Sequence, residues 1–115
     1  MKNSTLALRS RGEAGLNLVR LQKRALHAAT LLKVMANSNR LIILCQLAEG
    51  EKSVGELEDV VGLSQSALSQ HLTVLRRQRI VTTRRAAQSI FYSLASKEAH
   101  TVMLTLHDLF CARTT

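Results

Sequence analysis

Proline and tryptophan are absent from this chain, and its aromatic residues are one Tyr and two Phe. Five Gly and two Cys complete the short supply among 115 residues. Collagen-like, disulfide-scaffold and all-β designs need Gly, Pro, Cys or many strand formers, so these scarcities exclude them. No apolar run approaches the roughly 18 residues that span a bilayer. The longest is Leu41-Ile42-Ile43-Leu44-Cys45. Met1 to Arg24 carries six basic residues but lacks the continuous apolar centre of a secretory signal. A cytoplasmic protein with no membrane partner is expected. In a reducing compartment, two Cys far apart in sequence are not a structural disulfide framework.

Acids are also scarce: 8 Asp and Glu stand against 16 Lys and Arg, a formal charge of +8. From Val60 to Lys97 there is no acid at all, while Arg76, Arg77, Arg79, Arg84, Arg85 and Lys97 fall there. A solvated basic face is the plain reading of such a run, and a phosphate-facing surface is the functional one. Hydrophobic residues make up 46%, too many for a disordered tail. One domain of this length is short for an enzyme with a deep pocket. It buries about two-thirds of its unfolded surface, so self-association would help it.

Apolar spacing predicts the elements. Residues 1–14 are polar, basic and aperiodic, and read as a mobile arm. Leu18, Leu21, Leu26, Ala29, Leu32 and Met35 recur at helical spacing over about Gly15 to Met35. Asn37 and Ser38 suit the cap of a second helix, Arg40 to Ala48, which Gly50 stops. Ser53-Val54-Gly55-Glu56 matches a capping box for a third helix. Gly62-Leu63-Ser64 ends it, and Ser64 caps a fourth from Gln65 to about Gln78. Two short helices joined by a Gly-containing turn form a helix-turn-helix pattern. Ile80 to Thr83 and Ser89 to Leu94 read as strands, with Arg84 to Gln88 as the polar hairpin tip. Ser96 caps a last helix, Lys97 to about Ala112, with Val102, Met103, Leu106, Leu109 and Phe110 apolar. The fold class is therefore mainly α, a winged helix-turn-helix of order α-α-α-α-β-β-α.

The fourth helix must turn Ala67, Leu68, Leu72 and Leu75 inward. Gln65, Ser66, Ser69, Gln70, Thr73 and Arg76 are then left outward. Gln can pair with an adenine edge, Arg with a guanine edge, and Ser or Thr with either, so these residues fit a major groove. Arg84, Arg85 and Gln88 in the wing suit phosphates or a minor groove. His71, beside the apolar seam, reads as a packed structural histidine. A helical interaction module with an incidental basic face is the competing class. No Ser/His/Asp or Cys/His constellation or Gly-rich phosphate loop supports an enzyme, and no cofactor is implied.

Arg40-Leu41-x-Ile43-Leu44, Val54-Gly55-Glu56-Leu57, the run Leu63-Ser64-Gln65-Ser66-x-Leu68-Ser69-Gln70-His71-Leu72-x-x-Leu75-Arg76, and Phe91-Tyr92-Ser93-Leu94 together resemble the ArsR/SmtB repressors over about Leu26 to Ala112. The resemblance implies a homodimer held by the first and last helices. It also implies repression at an inverted repeat of double-stranded operator DNA, relieved by an inducer. Residues 15–115 would then be a combined DNA-binding and dimerisation domain. Ser38 stands where the family often has Pro, which is tolerated there rather than required.

The family's Cys-x-Cys metal site falls on Ser53 and Gly55, which supply no thiolate. Glu98, His100, His107 and Asp108 on the last helix do not follow the usual Asp-x-His and His-x-x-Glu spacing. A metal-ion or general oxidant sensor using last-helix His, Asp and Cys residues is the alternative reading. Cys45 in Leu44-Cys45-Gln46-Leu47 and Cys111 in Phe110-Cys111-Ala112 resemble the BigR/SqrR-type persulfide-sensing branch. So do Ser53 to Glu58, Thr83-Arg84-Arg85 and Ile90-Phe91-Tyr92. The resemblance implies that inorganic or organic persulfides join the two cysteines through a polysulfide or disulfide bridge. DNA is then released and sulfide-detoxifying genes are derepressed. Taken alone, Cys45 in its apolar run reads as a buried space-filler. Cys111 near a helix C-terminus sits where the dipole disfavours a thiolate. Which thiol reacts first stays open.

Overall fold

The computed structural model describes residues 11–111, with 11–14 and 16 described by their backbone alone. The elements are α1 (Arg11–Met35), α2 (Ser38–Glu49), β1 (Lys52–Ser53), α3 (Val54–Val61), α4 (Gln65–Arg77), β2 (Val81–Ala86), β3 (Ser89–Leu94) and α5 (Lys97–Phe110). They form two compact units, one reaching Leu32 and one beginning at Lys33. The first is helical throughout its described part. Its helix starts at Arg11, four residues before the expected Gly15, so residues 11–14 are helix backbone rather than arm. The remainder of the expected arm lies outside the described residues. Leu18, Leu21, Leu26, Ala29 and Leu32 of the expected apolar set are exposed, Leu26 to 71%.

In the second unit, Val34 and Met35 at the end of α1 are buried. Four side-chain caps set the helix starts. Asn37 Oδ1 accepts the Arg40 N–H at 3.1 Å, and Ser53 Oγ accepts that of Glu56 at 3.1 Å. Ser64 Oγ accepts from Ala67 at 3.1 Å and Ser96 Oγ from Ala99 at 3.0 Å. Each satisfies one of the N–H groups a helix start leaves unpaired. Glu56 Oε1 also accepts the Ser53 N–H at 2.8 Å, closing the capping box. Gly62 ends α3 in the left-handed region at φ 77°, which a side chain would strain. Ile43, Leu44, Leu57, Leu68, Leu75 and Ile80 form the fully buried centre, drawn from α2, α3, α4 and the entry to the hairpin. On α5, Ala99 and Met103 are buried, but Leu109 and Phe110 are 61% and 72% exposed. The last helix stops at Phe110, and Cys111 forms its C-cap.

The strands form a three-stranded antiparallel sheet of order β1-β3-β2, with β1 ahead of the helix-turn-helix and the hairpin after it. Two expectations change here. β1 is a strand that apolar spacing does not predict, and its Lys52 and Ser53 pair with Tyr92 and Phe91. The hairpin tip is also shorter than the expected Arg84 to Gln88. β2 runs on through Arg84, Arg85 and Ala86, which pair with Phe91, Ile90 and Ser89. Only Ala87 and Gln88 make the turn, with Ala87 at φ 56°. Cross-strand pairing extends through residues whose polar character alone reads as loop.

Candidate nucleic-acid interface and thiol pair

On α4 the leucines at 68, 72 and 75 are buried, and Gln65, Ser66, Ser69, Gln70, Thr73 and Arg76 are all exposed. Helical periodicity thus divides core from surface as the sequence indicates. Thr73 Oγ1 donates to the Ser69 carbonyl at 2.8 Å, which leaves its hydroxyl oxygen as an outward acceptor. His71 is half-buried, and its Nδ1 lies 3.3 Å from Arg40 Nη1. Arg40 Nε donates to the Val34 carbonyl at 2.6 Å. Arginine has no acceptor, so this contact calls for the Nδ1 lone pair and the proton on Nε2. The structural role expected for His71 is the one its packing allows, and the Arg40 link is an addition no sequence pattern announced.

Between α3, the start of α4 and the wing lies an open groove of about 810 Å³. Gln65, Ser66 and Ser69 line one side, and Gln88, Ile90 and Tyr92 the other. Four of the expected DNA-facing residues, Gln65, Ser66, Ser69 and Gln88, therefore share one concave surface. Gln70, Thr73 and Arg76 continue along α4 outside it.

The wing arginines separate. Strand side chains alternate between faces. Arg84 stands opposite Phe91, and Arg85 opposite Ile90. Arg85 is thus on the face whose Ile90 and Tyr92 line the groove, whereas Arg84 is on the reverse. There its Nε and Nη2 each donate to Glu51 at 2.7 Å. Its guanidinium carbon lies 4.7 Å from the centre of the Phe91 ring. Ser93 Oγ donates to the same carboxylate at 3.4 Å. The hydrogen bond from Arg84, followed by its charge, holds the Glu51 carboxyl below the usual glutamate range, and the Arg84 pKa is raised in return.

Cys45 is exposed, on the side of α2 away from its buried neighbours Ile43, Leu44 and Leu47. The space-filling alternative for this cysteine is therefore set aside. Cys111 is exposed too, and its backbone N–H donates to the His107 carbonyl at 2.8 Å. Partial burial of the sulfur pushes the Cys45 thiol pKa up, and the charges of Cys111 and Glu49 push it further. The helices that carry the two cysteines, α2 and α5, pack against each other. Among the described residues no group of three or more His, Cys, Asp or Glu is placed to hold a metal ion. Among the same residues no helix is long and apolar enough to cross a membrane.

Known proteins share this arrangement. Residues 37–83 match the family described as "Bacterial regulatory protein, arsR family". The transcriptional activator HlyU of Vibrio cholerae is 51% identical over 98 residues, covering 85% of this chain and 91% of that protein. A biofilm growth-associated repressor of Xylella fastidiosa is 46% identical over 93 residues, 81% of this chain and 82% of its own. The solved structure of reduced HlyU from Vibrio cholerae superposes with a TM-score of 0.77 at 51% identity, covering 80% of this chain and 97% of that one. These relatives are transcriptional regulators by name, and the solved one shares this chain's fold over the superposed residues. The chain belongs to the arsR family of bacterial regulatory proteins, with a winged helix-turn-helix fold.

Proposed function

We propose that this chain is a homodimeric repressor that grips operator DNA and lets go when persulfides link Cys45 to Cys111. The carrying observation is that two exposed thiols stand on α2 and at the end of α5, helices that pack against each other. Two side chains must be near each other before sulfur atoms can join them, and a direct disulfide further needs Cα atoms within about 7 Å. A longer sulfur chain relaxes that limit.

The chemistry balances without an external oxidant. One thiolate takes a sulfane sulfur from a persulfide RSSH, giving a protein persulfide and RSH. A second RSSH extends it by one sulfur. The other cysteine then attacks the sulfur next to the terminal SH and expels hydrogen sulfide, closing a trisulfide. Without the second transfer, the same attack on the first persulfide closes a disulfide. Thiol–disulfide exchange rules govern each step.

DNA binding uses Gln65, Ser66, Ser69, Gln70, Thr73 and Arg76 on α4, with Gln88 and the wing charge flanking. Such a surface sets sequence choice through the helix and affinity through phosphates. A second copy covers the exposed apolar side chains of α1, and likewise Leu104, Leu109 and Phe110 of α5. A tether between α2 and the end of α5 favours one dimer geometry over the DNA-bound one. To empty the operator it must do so by several kcal/mol. The Xylella fastidiosa relative carries "repressor" in its name, and one solved HlyU is described as reduced, which suits a regulator read through its thiols.

The test treats reduced protein separately with glutathione persulfide, hydrogen peroxide and zinc, then follows intact mass and DNA binding. Added sulfur linking Cys45 to Cys111, with DNA released in that sample alone, is expected. Release by zinc alone, or undiminished release in Cys45→Ser/Cys111→Ser, would remove the sensor reading and leave the DNA-binding one standing.

A further inference from the structure

The two neighbouring arginines of the wing are placed for different work. Arg85 is on the strand face that carries Ile90 and Tyr92 into the groove beside α4. Arg84 is on the opposite face, stacked over Phe91 and bonded twice to Glu51. Glu51 belongs to neither strand of the hairpin. It lies in the segment that leaves α2 after Glu49 and enters β1 at Lys52. Ser93 on β3 reaches the same carboxylate.

We propose that Arg84 is a positioning residue which, through Glu51, holds the wing against the α2–β1 segment, and that Arg85 is the wing arginine facing the DNA backbone. This rests on the reading of α4 and its groove as the DNA interface.

Two parallel N–H···O bonds fix direction as well as distance, which a single contact does not. Stacking on Phe91 sets the plane of the guanidinium, and Ser93 orients the acceptor. The hold joins the exit of α2 to the middles of β2 and β3, which lie 33 or more residues further along the chain. An exposed ion pair adds little to global stability. Its effect is to narrow the angles the hairpin samples, and so to narrow where Arg85 and Gln88 meet a duplex.

The two roles separate by salt dependence and by sign. A lost phosphate contact reduces the slope of log affinity against log salt by about 0.9. A lost positioning contact lowers affinity and leaves the slope alone. The probe is a labelled duplex selected from a random pool by the wild-type chain. Binding is followed by anisotropy between about 50 and 200 mM salt, the range over which one contact changes the loss of affinity about 3.5-fold.

Arg85→Ala is expected to flatten the slope by one contact per protomer. Arg84→Ala and the milder Arg84→Lys, which keeps the charge but loses the fork, should weaken binding several-fold at every salt with the wild-type slope. Glu51→Ala removes a negative charge from a DNA-binding protein, yet should weaken binding in the same way. The swapped pair Glu51→Arg/Arg84→Glu should recover most of the affinity. A flattened slope in Arg84→Ala, or tighter binding in Glu51→Ala, would overturn the proposal. Those results would make Arg84 a phosphate contact that Glu51 screens. If Arg85→Ala and Gln70→Ala both bind as wild type, the interface reading itself fails and takes the proposal with it.

Discussion

The capping box at Ser53 is the most exacting place to test how local chemistry supports the DNA-reading unit. α3 has eight residues, below the roughly 12–15 at which an isolated helix becomes marginal in water. It persists because Leu57 is fully buried and because its first turn is closed from both directions. Ser53→Ala removes the acceptor for the Glu56 N–H but leaves the Glu56 carboxylate on the Ser53 N–H. The expected cost is about 1 kcal/mol. For a domain of this size that lowers the melting temperature by about 4–8 °C. Ser53→Asp supplies another good cap and should stay close to wild type. Glu56→Ala removes the reciprocal bond, and the double variant should cost less than the sum, since the two bonds support one turn. Thermal unfolding by circular dichroism at one fixed protein concentration reads all four, because the melting point of the proposed dimer would depend on concentration. A Ser53→Ala melting point within about 1 °C of wild type, or a loss as large in Ser53→Asp, would refute the capping account.

Three further outcomes are expected. Leu68→Ala, at a fully buried position of α4, should destabilise by about 2–5 kcal/mol in urea titrations, whereas the exposed Gln70→Ala should change stability by less than about 0.5 kcal/mol while weakening DNA binding. Glu51 has a folded pKa below its unfolded one, so its contribution is present at neutral pH and is lost as pH falls through the lowered value. Wild type and Glu51→Gln should therefore differ slightly in urea midpoint near neutrality and converge in acid, and a difference that widens in acid would contradict the ion pair. The raised Cys45 pKa keeps its thiolate fraction small at neutral pH, so its alkylation by iodoacetamide should be slower than that of a small thiol. Glu49→Gln should speed that reaction, burial keeping it below the free-thiol rate, and identical rates in the two proteins would discount the charge coupling.

Much of the fold could be read from short-range signals. Asn37, Ser53, Ser64 and Ser96 announce four helix starts, and all four make the capping bond. Leu68, Leu72 and Leu75 are buried at the spacing that marks them. The errors arose where a partner distant in the chain decides the outcome. β1 is two residues long and has no period of its own; it exists because Phe91 and Tyr92 lie beside it. The tip lacks the Asn-Gly or Asp-Gly that marks a tight hairpin, and Ala87 takes the positive φ instead, so Arg84 to Gln88 reads as one polar loop. Once β2 is known to reach Ala86, alternation alone puts Arg84 and Arg85 on opposite faces.

By itself, then, the order of residues determined the helix-turn-helix, the outward polar row of α4 and a wing rich in arginine. Those features depend on caps and on periods of 3.6 and 2, which act over a few neighbours. Tertiary packing decided that Cys45 faces out of an apolar run on a helix packed against α5, and that Glu51 receives Arg84. Such meetings join positions remote along the chain, and only the burial of α2, α3 and α4 around a shared centre brings them together.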